Sequence, residues 1–334
     1  MAEAQWRLGR CGQVLRPFCD RAGVRPRGRS RRLQRALVDF GAEESFARAA
    51  ARVREHYGLA VAAEQVRQQT LQHGAQISAL IVTPPKQAAT TLITQLDGSM
   101  IPIVVTPTVG PDRRCGKQLS WREARLCLAR PHESATPCYG ATLGSVAVTG
   151  ALWRATAQAA GLGERTQVHG VGDGAEWILN QFQEQFGLQG AYLVDFYHVS
   201  EYLAAAATVI QPKDPASWRR RQQGRLLENN VAAVLRALAP HLEPEGTPQA
   251  PVCAAHRYLD QRRDQLDYAG ARAAGLCIGS GEIESGHRHV IQQRLKLAGS
   301  WWKEPNAEAL LGLRVARANQ LWHRYWSLTQ LAFN

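Results

Sequence analysis

Three acidic residues stand in sequence contexts that suit metal ligation. Asp97 and Asp173 each end a short apolar run and are followed at once by glycine, as when a strand delivers its last side chain to an open sheet end. Glu284 lies at the start of a predicted helix rich in Arg and Lys. Two aspartates and a glutamate around a pair of Mg²⁺ or Mn²⁺ ions suit phosphoryl transfer on nucleic acids. These residues predict metal-dependent cleavage and joining of DNA.

Each carboxylate also has a purely structural interpretation, and the sequence leaves these alternatives open. Asp97 stands where an Asp-Gly turn places the second residue of a hairpin loop. Asp173 would cap the helix that follows it, and Glu284 would interact with the helix dipole in a first turn. Glu282 competes with Glu284, because residues two apart on a helix face different directions and only one of them would ligate.

The composition favours a polyanionic partner. The 334 residues carry a formal net charge of +12 and a pI near 9.8, which favours DNA or RNA over a small metabolite. A hydrophobic content of 45% is sufficient for a packed core and argues against wholesale disorder. The seven cysteines form no C-x-x-C pair, as expected in a reducing cytosol. With no secretory signal and no apolar run of eighteen residues, we predict a cytoplasmic protein.

The N-terminal region predicts DNA binding. Residues 1–36 form a basic segment with Gly and Pro, which we interpret as a solvated arm suited to phosphates. A helical pattern runs from Ser30 to Gly74, with Gly41 ending the first helix, and residues 37–80 resemble a helix-turn-helix reader. A plain helical hairpin is the alternative. The side chains expected to face base edges lie on the last helix: Arg67, Gln68, Gln69 and Gln72.

The central region predicts an α/β fold that begins after a linker at residues 75–90. The predicted elements are a hairpin of strands 91–96 and 101–106 around an Asp-Gly-Ser turn, a strand at 121–128, a helix at 147–160, a strand at 166–171, a helix at 176–186 and a strand at 191–194. Three strands in a meander followed by α-β-α-β is the order of an RNase H-like mixed sheet with flanking helices. In that order the first aspartate lies on strand one, the second near the end of strand four, and the third acid on a later helix.

This order divides the remainder of the chain into three parts. Residues 90–200 form the first part of the RNase H-like catalytic core. Residues 201–275 are helical and charged, and we interpret them as an all-α insertion because the core still lacks its last helix. Residues 276–334 supply the C-terminal helices of the core, including the one that carries the glutamate.

Further polar residues accompany the acids. Asp195 and His198 follow the fifth strand, where the sheet end opens, and suit the orientation of DNA or of a metal-bound water. A helix cap and a buried histidine are the alternative. The last part of the chain places cations close to two tryptophans, which suits phosphates and an unpaired base. There we expect three residues to bind DNA: Arg288, Arg294 and Lys296.

These motifs resemble those of bacterial insertion-sequence transposases of the DDE type. The nearest group is the Kra-type insertion sequences, which are distantly similar to the Mutator-like transposases. The resemblance spans roughly Ser30 to Trp326. The motifs that carry it are Leu96-Asp97-Gly98, Gly172-Asp173-Gly174, Asp195-Phe196-Tyr197-His198 and Gly279-Ser280-Gly281-x-x-Glu284.

The resemblance implies a DNA transposase with Asp97, Asp173 and Glu284 as its catalytic and metal-binding triad, and it selects Glu284 over Glu282. It also implies two Mg²⁺ or Mn²⁺ ions, an RNase H-like core with an α-helical insertion, and an accessory role for the Asp195-x-x-His198 pair. The expected partners are the terminal inverted repeats of an element and target DNA, at the bacterial nucleoid. Work on two DNA ends implies a homodimer or a larger assembly.

Two other functions remain open at this stage. Members of that transposase group usually have a longer N-terminal segment, which raises the hypothesis of a truncated, domesticated or inactive copy that acts as a DNA-binding regulator. The presence of all three acids argues against loss of catalysis. An RNase H-like nuclease of repair or RNA processing is the other hypothesis, and the N-terminal reader and the large helical insertion argue against it.

Overall fold

The structure, a computed structural model, describes residues 6–7, 9, 11, 14–15, 17–22, 29–80, 83, 85–106 and 116–331. Much of the predicted basic arm, including Arg25 and Arg27, lies outside these residues. Contacts divide the chain into two compact units. The first unit comprises Met1–Thr83, Ile101–Arg122 and Val290–Asn334, and the second comprises Pro84–Met100 and Glu123–His289. The five-part division predicted from the sequence stays a prediction.

Strands and helices alternate along the chain from Cys138 to Ile210. The strands are β1 (Trp6–Arg7), β2 (Val14–Leu15), β3 (Thr91–Val105), β4 (Gln118–Pro131), β5 (Cys138–Thr142), β6 (Gln167–Gly172) and β7 (Gly190–Val194). The α-helices are α1 (Pro17–Ala22), α2 (Arg31–Glu43), α3 (Phe46–Tyr57), α4 (Ala63–Leu80), α5 (Val146–Ala160), α6 (Glu176–Phe186), α7 (Phe196–Ile210), α8 (Pro215–Leu227), α9 (Val231–Leu238), α10 (Pro251–Asp260), α11 (Tyr268–Ala273), α12 (Gly281–Gly286), α13 (Gln293–Leu295), α14 (Glu304–Ala318) and α15 (Trp322–Leu331). A π-helical segment, His287–Gln292, separates α12 from α13.

A five-stranded mixed sheet organises the fold, with the spatial order β5-β4-β3-β6-β7. β4 and β5 run antiparallel, whereas β3 pairs with β6, and β6 with β7, in parallel. Helices flank this sheet, so the predicted α/β class is confirmed. The strand order, in which the first strand is central and the fourth lies beside it, is compatible with an RNase H-like core.

Helix α5 is fixed to the sheet by packing and by a hydrogen-bond chain. Trp153 is fully buried against Phe182 and Phe186, and its Nε1 donates to Thr94 Oγ1 at 2.5 Å. Thr94 Oγ1 in turn donates to the Leu128 carbonyl at 2.7 Å. Since the large apolar ring is buried and its one polar atom is satisfied, this contact joins a helix to two adjacent strands at no unpaired polar cost.

The predicted hairpin at residues 91–106 is wrong, because β3 is one continuous strand of 15 residues. The Asp-Gly-Ser sequence reads as a turn, but Gly98 serves a different purpose. A Cβ atom at Gly98 would lie 2.1 Å from Glu123 Oε1, so glycine here makes room for a side chain of β4. The strand at 121–128 is longer than predicted, and the short strand β5 was missed. Gly140 interrupts the β pattern of β5, since a Cβ atom there would lie 2.5 Å from Thr156 Oγ1.

The first unit contains helices where the sequence predicts them, with two corrections. Helix α2 does not end at Gly41 but continues to Glu43. Glycine is needed at position 41 for close packing, since a Cβ atom there would lie 2.1 Å from Thr70 Oγ1. Helix α4 extends to Leu80 and replaces the first part of the predicted linker. It packs against α2, α3 and α14. Helix α3 ends at Gly58, which adopts the left-handed conformation at φ 67°.

The segment between β7 and α12 is helical, as predicted, and is formed by α7 to α11 with short 3₁₀ turns. Helix α7 packs against α8 and α10, and α9 packs against α8 and α10. The apolar faces of these helices join the core beneath the sheet through Leu203, Leu235 and Leu259. Among the described helices, none has the length and apolar character needed to cross a membrane.

Candidate active site

Asp97 lies within the central strand β3 and is half-buried. Its Oδ1 accepts a hydrogen bond of 2.7 Å from the Gly98 N–H. The burial pattern explains its position, because the residues that precede it on the strand, from Leu92 to Leu96, are all buried. The strand therefore anchors itself in the core before it presents the carboxylate.

Asp173 follows β6 directly, and β6 pairs in parallel with β3. The Asp173 carboxylate accepts from the Ala175 N–H at 2.9 Å and so forms a local turn before α6. Gly174 occupies the left-handed region at φ 74°, which glycine adopts without strain. Strand and turn together place this aspartate at the carboxyl end of a parallel strand, where open α/β sheets present their ligand-binding residues.

Glu284 lies in the first turn of α12 with its side chain exposed. Gln95 fixes the residues around it: its Oε1 accepts from the Ile283 N–H at 2.9 Å, and its Nε2 donates to the Gly279 carbonyl at 3.4 Å. Gln95 and Asp97 lie two apart on β3, so their side chains leave the same face of the sheet. Gln95 therefore ties the strand of Asp97 to the helix of Glu284.

Glu282 is engaged elsewhere, which distinguishes it from Glu284. Its carboxylate accepts from Arg130 Nε at 2.9 Å and from Nη2 at 2.5 Å. The Nη1 of the same guanidinium donates to three backbone carbonyls at the end of β4 and in the loop after it. A bidentate pair of this kind is geometrically specific and is not readily exchanged for a metal. The contact favours Glu284 over Glu282 as the ligand, a choice that the physics of the sequence left open.

The electrostatic environment of Asp97 includes the other two candidate acids. Burial raises the pKa of the Asp97 carboxyl to about 6, and the hydrogen bond from Gly98 opposes that rise. Three negative charges raise the pKa further, in order of effect: Asp173, Glu123 and Glu284. A charge shifts the pKa of a carboxyl group only when it is close, so Asp173, Glu123 and Glu284 lie near Asp97 and form an acidic cluster around it.

Two further residues near Asp97 were missed by the sequence analysis. His287 is buried, with 2% exposure, and its Nε2 lies 3.4 Å from Asp97 Oδ2. Its position three residues after Glu284 was the available signal, since residues at i and i+3 share a helix face. Glu123 comes from the adjacent strand β4 and pairs with Arg125 at 2.7 Å. No sequence pattern marks it, because its proximity depends on how β3 and β4 pair.

Asp195 is a hydrogen-bond centre rather than an exposed group. It is 3% exposed, and its Oδ1 accepts from the N–H groups of Tyr197 at 2.5 Å and His198 at 3.1 Å, which caps α7. Its Oδ2 accepts from the Ser280 N–H at 2.7 Å and from the Ser280 hydroxyl. The carboxylate thus joins the start of α7 to the loop that leads to Glu284.

The neighbouring His198 has a different environment. Its side chain is partly exposed, with Nδ1 3.6 Å from Glu201 Oε2. The ring contacts Tyr202 and Tyr258 edge-on, at centroid distances of 5.4 and 5.8 Å. Asp195 therefore contacts the start of α7 and Ser280, whereas His198 contacts side chains of α7 and α10.

The predicted DNA-binding residues separate into exposed and buried groups. On α4, Gln68 and Gln72 are exposed, whereas Arg67 and Gln69 are half-buried. Arg67 donates to Glu64 at 2.7 and 2.6 Å, and Gln68 donates to the same carboxylate at 3.0 Å. Hydrogen bonds to Glu64 thus compete with any base contact by this pair.

Among the C-terminal cations, Arg288 and Lys296 are exposed, but Arg294 is 1% exposed. The Arg294 guanidinium lies over the rings of Phe46 and Trp302 at 4.7 and 4.8 Å and donates to the Gly41 carbonyl at 3.1 Å. Burial lowers the pKa of Arg294 to about 10, with the charge of Arg314 adding to the shift. Arg294 is therefore a packing residue in this structure and presents no surface to DNA.

The chemistry of the acidic cluster fits divalent cations that prefer oxygen ligands. Burial is the main cause of the raised pKa of Asp97, and the negative charges of its neighbours add to it; a bound Mg²⁺ or Mn²⁺ would offset those charges. In the described parts of the chain, no group of three His, Cys, Asp or Glu side chains is arranged to hold an ion. Protein Mg²⁺ sites commonly use one or two carboxylates with waters and substrate phosphates. The residues that would hold the ions are Asp97, Asp173 and Glu284.

The sequence was also compared with known proteins. It matches no protein-family model and no curated protein.

Proposed function

We propose that the protein is a DNA transposase of the DDE type, which cleaves phosphodiester bonds at element ends and joins the freed 3′-hydroxyls to target DNA. The observation that carries the proposal is that Asp173 and Glu284 lie near Asp97, whose pKa is raised by burial and, in addition, by the charges of both acids. These acids come from a central strand, the end of its parallel neighbour and a later helix, which matches the order that the sequence motifs imply. The excess of basic residues supports a nucleic-acid substrate.

In this mechanism the residues of the protein orient the substrate and would hold the metal ions. Two bound Mg²⁺ or Mn²⁺ ions would supply activation of a water or 3′-hydroxyl and stabilisation of the leaving oxygen. The three carboxylates supply oxygen ligands on rigid elements, while Gln95 holds the Glu284 turn against β3. No covalent intermediate is required, so no Ser or Tyr nucleophile is assigned. Exposed residues of α4 and the C-terminal cations would bind the terminal repeats and the DNA backbone.

A homodimer or larger assembly belongs to this proposal, because transposition acts on two DNA ends. A helix-turn-helix role for α3 and α4 also belongs to it, supported by exposed Gln68 and Gln72 on the second helix. The alternative function is a DNA-binding regulator without catalysis. It would bind the same DNA with the same salt dependence, but it would not respond to the metal through Asp173.

The test uses labelled duplex DNA that carries the inverted repeats flanking the gene. Nicking and strand transfer are measured with Mg²⁺ or Mn²⁺ and with EDTA, for the wild type, Asp173→Asn and Glu164→Gln. Glu164 is an exposed acid on the loop before β6 and serves as the matched control. Binding to the same duplex is measured without metal.

Three outcomes separate the candidate functions when an RNA–DNA hybrid is assayed beside the duplex. Nicking that requires metal, persists in Glu164→Gln and is lost in Asp173→Asn supports the transposase. Salt-sensitive binding without nicking by the wild type contradicts it and favours the regulator. Cleavage confined to RNA–DNA hybrids would contradict both and support an RNase H-like nuclease.

A further inference from the structure

The helical segment between β7 and α12 contacts the backbone of the turn that carries Asp173. Tyr258, on α10, donates its hydroxyl to the Asp173 carbonyl at 2.5 Å. Arg262, just after that helix, donates through Nε at 3.1 Å and Nη2 at 2.9 Å to the Gly174 carbonyl. Two consecutive carbonyls of the turn that carries the second aspartate are therefore bound by side chains of the insertion.

The turn leaves no spare room at this contact. Gly174 adopts φ 74°, and a Cβ atom there would lie 2.8 Å from Arg262 Nε and 3.0 Å from the Tyr258 hydroxyl. Glycine is thus needed for two reasons, the left-handed backbone and the close approach. The two donors and the turn fit each other closely, as expected for a contact that fixes a backbone position.

The two donors are themselves held in place. The rings of Tyr258 and Tyr202 stack at 4.2 Å, and the Arg262 guanidinium lies 4.1 Å from the Tyr258 ring centroid. Burial raises the pKa of the Tyr258 hydroxyl far above its usual range, so the phenol remains a protonated donor. A stacked ring beneath a cation restricts both side chains before any substrate or metal is bound.

We propose that the helical insertion holds the Asp173 turn in position, with Tyr258 and Arg262 as positioning residues for that carboxylate. The inference rests on the proposed function, since Asp173 needs a fixed position only as a metal ligand. Partners that orient a ligand are commonly as important as the ligand itself, and their loss typically costs about 10- to 100-fold in metal affinity or activity. A helical segment inserted into the core would then act on the chemistry of the sheet.

The test compares two conservative substitutions with two matched controls in the full chain. Tyr258→Phe removes one hydroxyl and keeps the stacked ring, and Arg262→Lys keeps the charge but loses the two-pronged donor. Tyr202→Phe removes a hydroxyl from the other ring of the stack. Arg263→Gln removes the neighbouring arginine, which pairs with exposed Asp260.

Three quantities are measured for each variant. The first is the Mn²⁺ concentration that gives half-maximal thermal stabilisation without DNA, and the second is the Mn²⁺ concentration that gives half-maximal nicking. The third is hydrogen exchange in residues 173–178 of the metal-free protein. We expect the two Mn²⁺ concentrations to rise about 10-fold in Tyr258→Phe and Arg262→Lys, with faster exchange in the turn, and no such change in the controls.

The outcomes distinguish failure of this inference from failure of the proposed function. A wild type that responds to Mn²⁺ through Asp173, with both positioning variants equal to the controls, overturns the inference alone. A wild type without any Asp173-dependent Mn²⁺ response overturns the proposed function and the inference with it. The melting temperature of each metal-free variant shows whether it is folded. If Tyr258→Phe is unfolded, the result for Arg262→Lys tests the inference.

Discussion

Removal of the Asp195 carboxylate is expected to loosen the loop that leads to Glu284 and to destabilise the fold. Asp195→Ala removes the cap of α7, which costs about 1 kcal/mol. It also leaves the buried N–H of Ser280 without its acceptor, which costs about 1–3 kcal/mol. The expected total loss is about 2–4 kcal/mol. Asp195→Asn keeps an oxygen for the cap but places an NH₂ group against the Ser280 N–H. We expect this variant to lose about 1–3 kcal/mol of stability.

The assay is urea unfolding of Asp195→Ala, Ser280→Ala and the double variant, followed by circular dichroism at matched pH and salt. Because Ser280→Ala removes the hydroxyl contact with the carboxylate but keeps the N–H contact, the cycle should show a coupling free energy of about 0.5–3 kcal/mol. Asp195→Asn, which retains the Tyr197 and His198 cap contacts, separates the cap from the Ser280 contact.

One result would refute this reasoning about Asp195. If Asp195→Ala unfolds at the wild-type urea concentration, with no coupling to Ser280→Ala, then its hydrogen bonds do not stabilise the loop. If that stable variant also lost the Mn²⁺ response, Asp195 would act directly on the metal or DNA. That is the role that the sequence motif Asp195-x-x-His198 suggests.

Three further predictions concern buried residues of the first unit, and the third compares one of them with exposed Arg288 of the second unit. Burial lowers the pKa of His73 to about 4, so as the pH falls below about 6.5 the unfolded chain binds a proton that the native state does not. The free energy of unfolding should therefore fall by up to about 3 kcal/mol between pH 6.5 and 4. In His73→Gln the midpoint of urea unfolding should depend less on pH across that range. Gly41→Ala should cost about 1–3 kcal/mol through overpacking against Thr70, and part of that loss should return with Thr70→Ala added, while full stability of Gly41→Ala would contradict the contact. Arg294→Ala should lower the free energy of unfolding by about 2–4 kcal/mol, whereas Arg288→Ala should weaken salt-dependent DNA binding and leave the melting temperature unchanged; the reverse pattern in the two assays would mean that the buried and exposed roles are misassigned.

The order of elements could be predicted from the sequence where local patterns are strong. Helix α6 has the predicted bounds of Glu176–Phe186, with Gly187 after it, because its apolar spacing and terminal glycine are both local signals. Asp173 follows the end of β6, as its apolar run predicted, whereas Asp97 lies inside β3 and not at a strand end as predicted.

The errors arose where a glycine has a tertiary purpose. Gly98 and Gly41 look like turn and helix-end signals, yet each lies inside a regular element because a side chain from elsewhere occupies the space of its missing Cβ. Such close approaches depend on contacts distant in sequence, which no local pattern reports. The same holds for Glu123, whose proximity to Asp97 is set by the pairing of β3 with β4.

The Gly-Ser-Gly-x-x-Glu block illustrates why the most specific motif is not made of ligands. The Ile278 carbonyl accepts from the Phe196 N–H at 2.9 Å, Ser280 donates to Asp195, and Gln95 binds both sides of the turn. The Glu284 side chain takes no part in these contacts and is exposed. A glutamate side chain has several rotatable bonds, so a useful metal ligand at this position requires a backbone that does not move. The surrounding residues meet that requirement, so under the proposed function substitutions at Gln95 or Ser280 should weaken metal binding without removing any carboxylate.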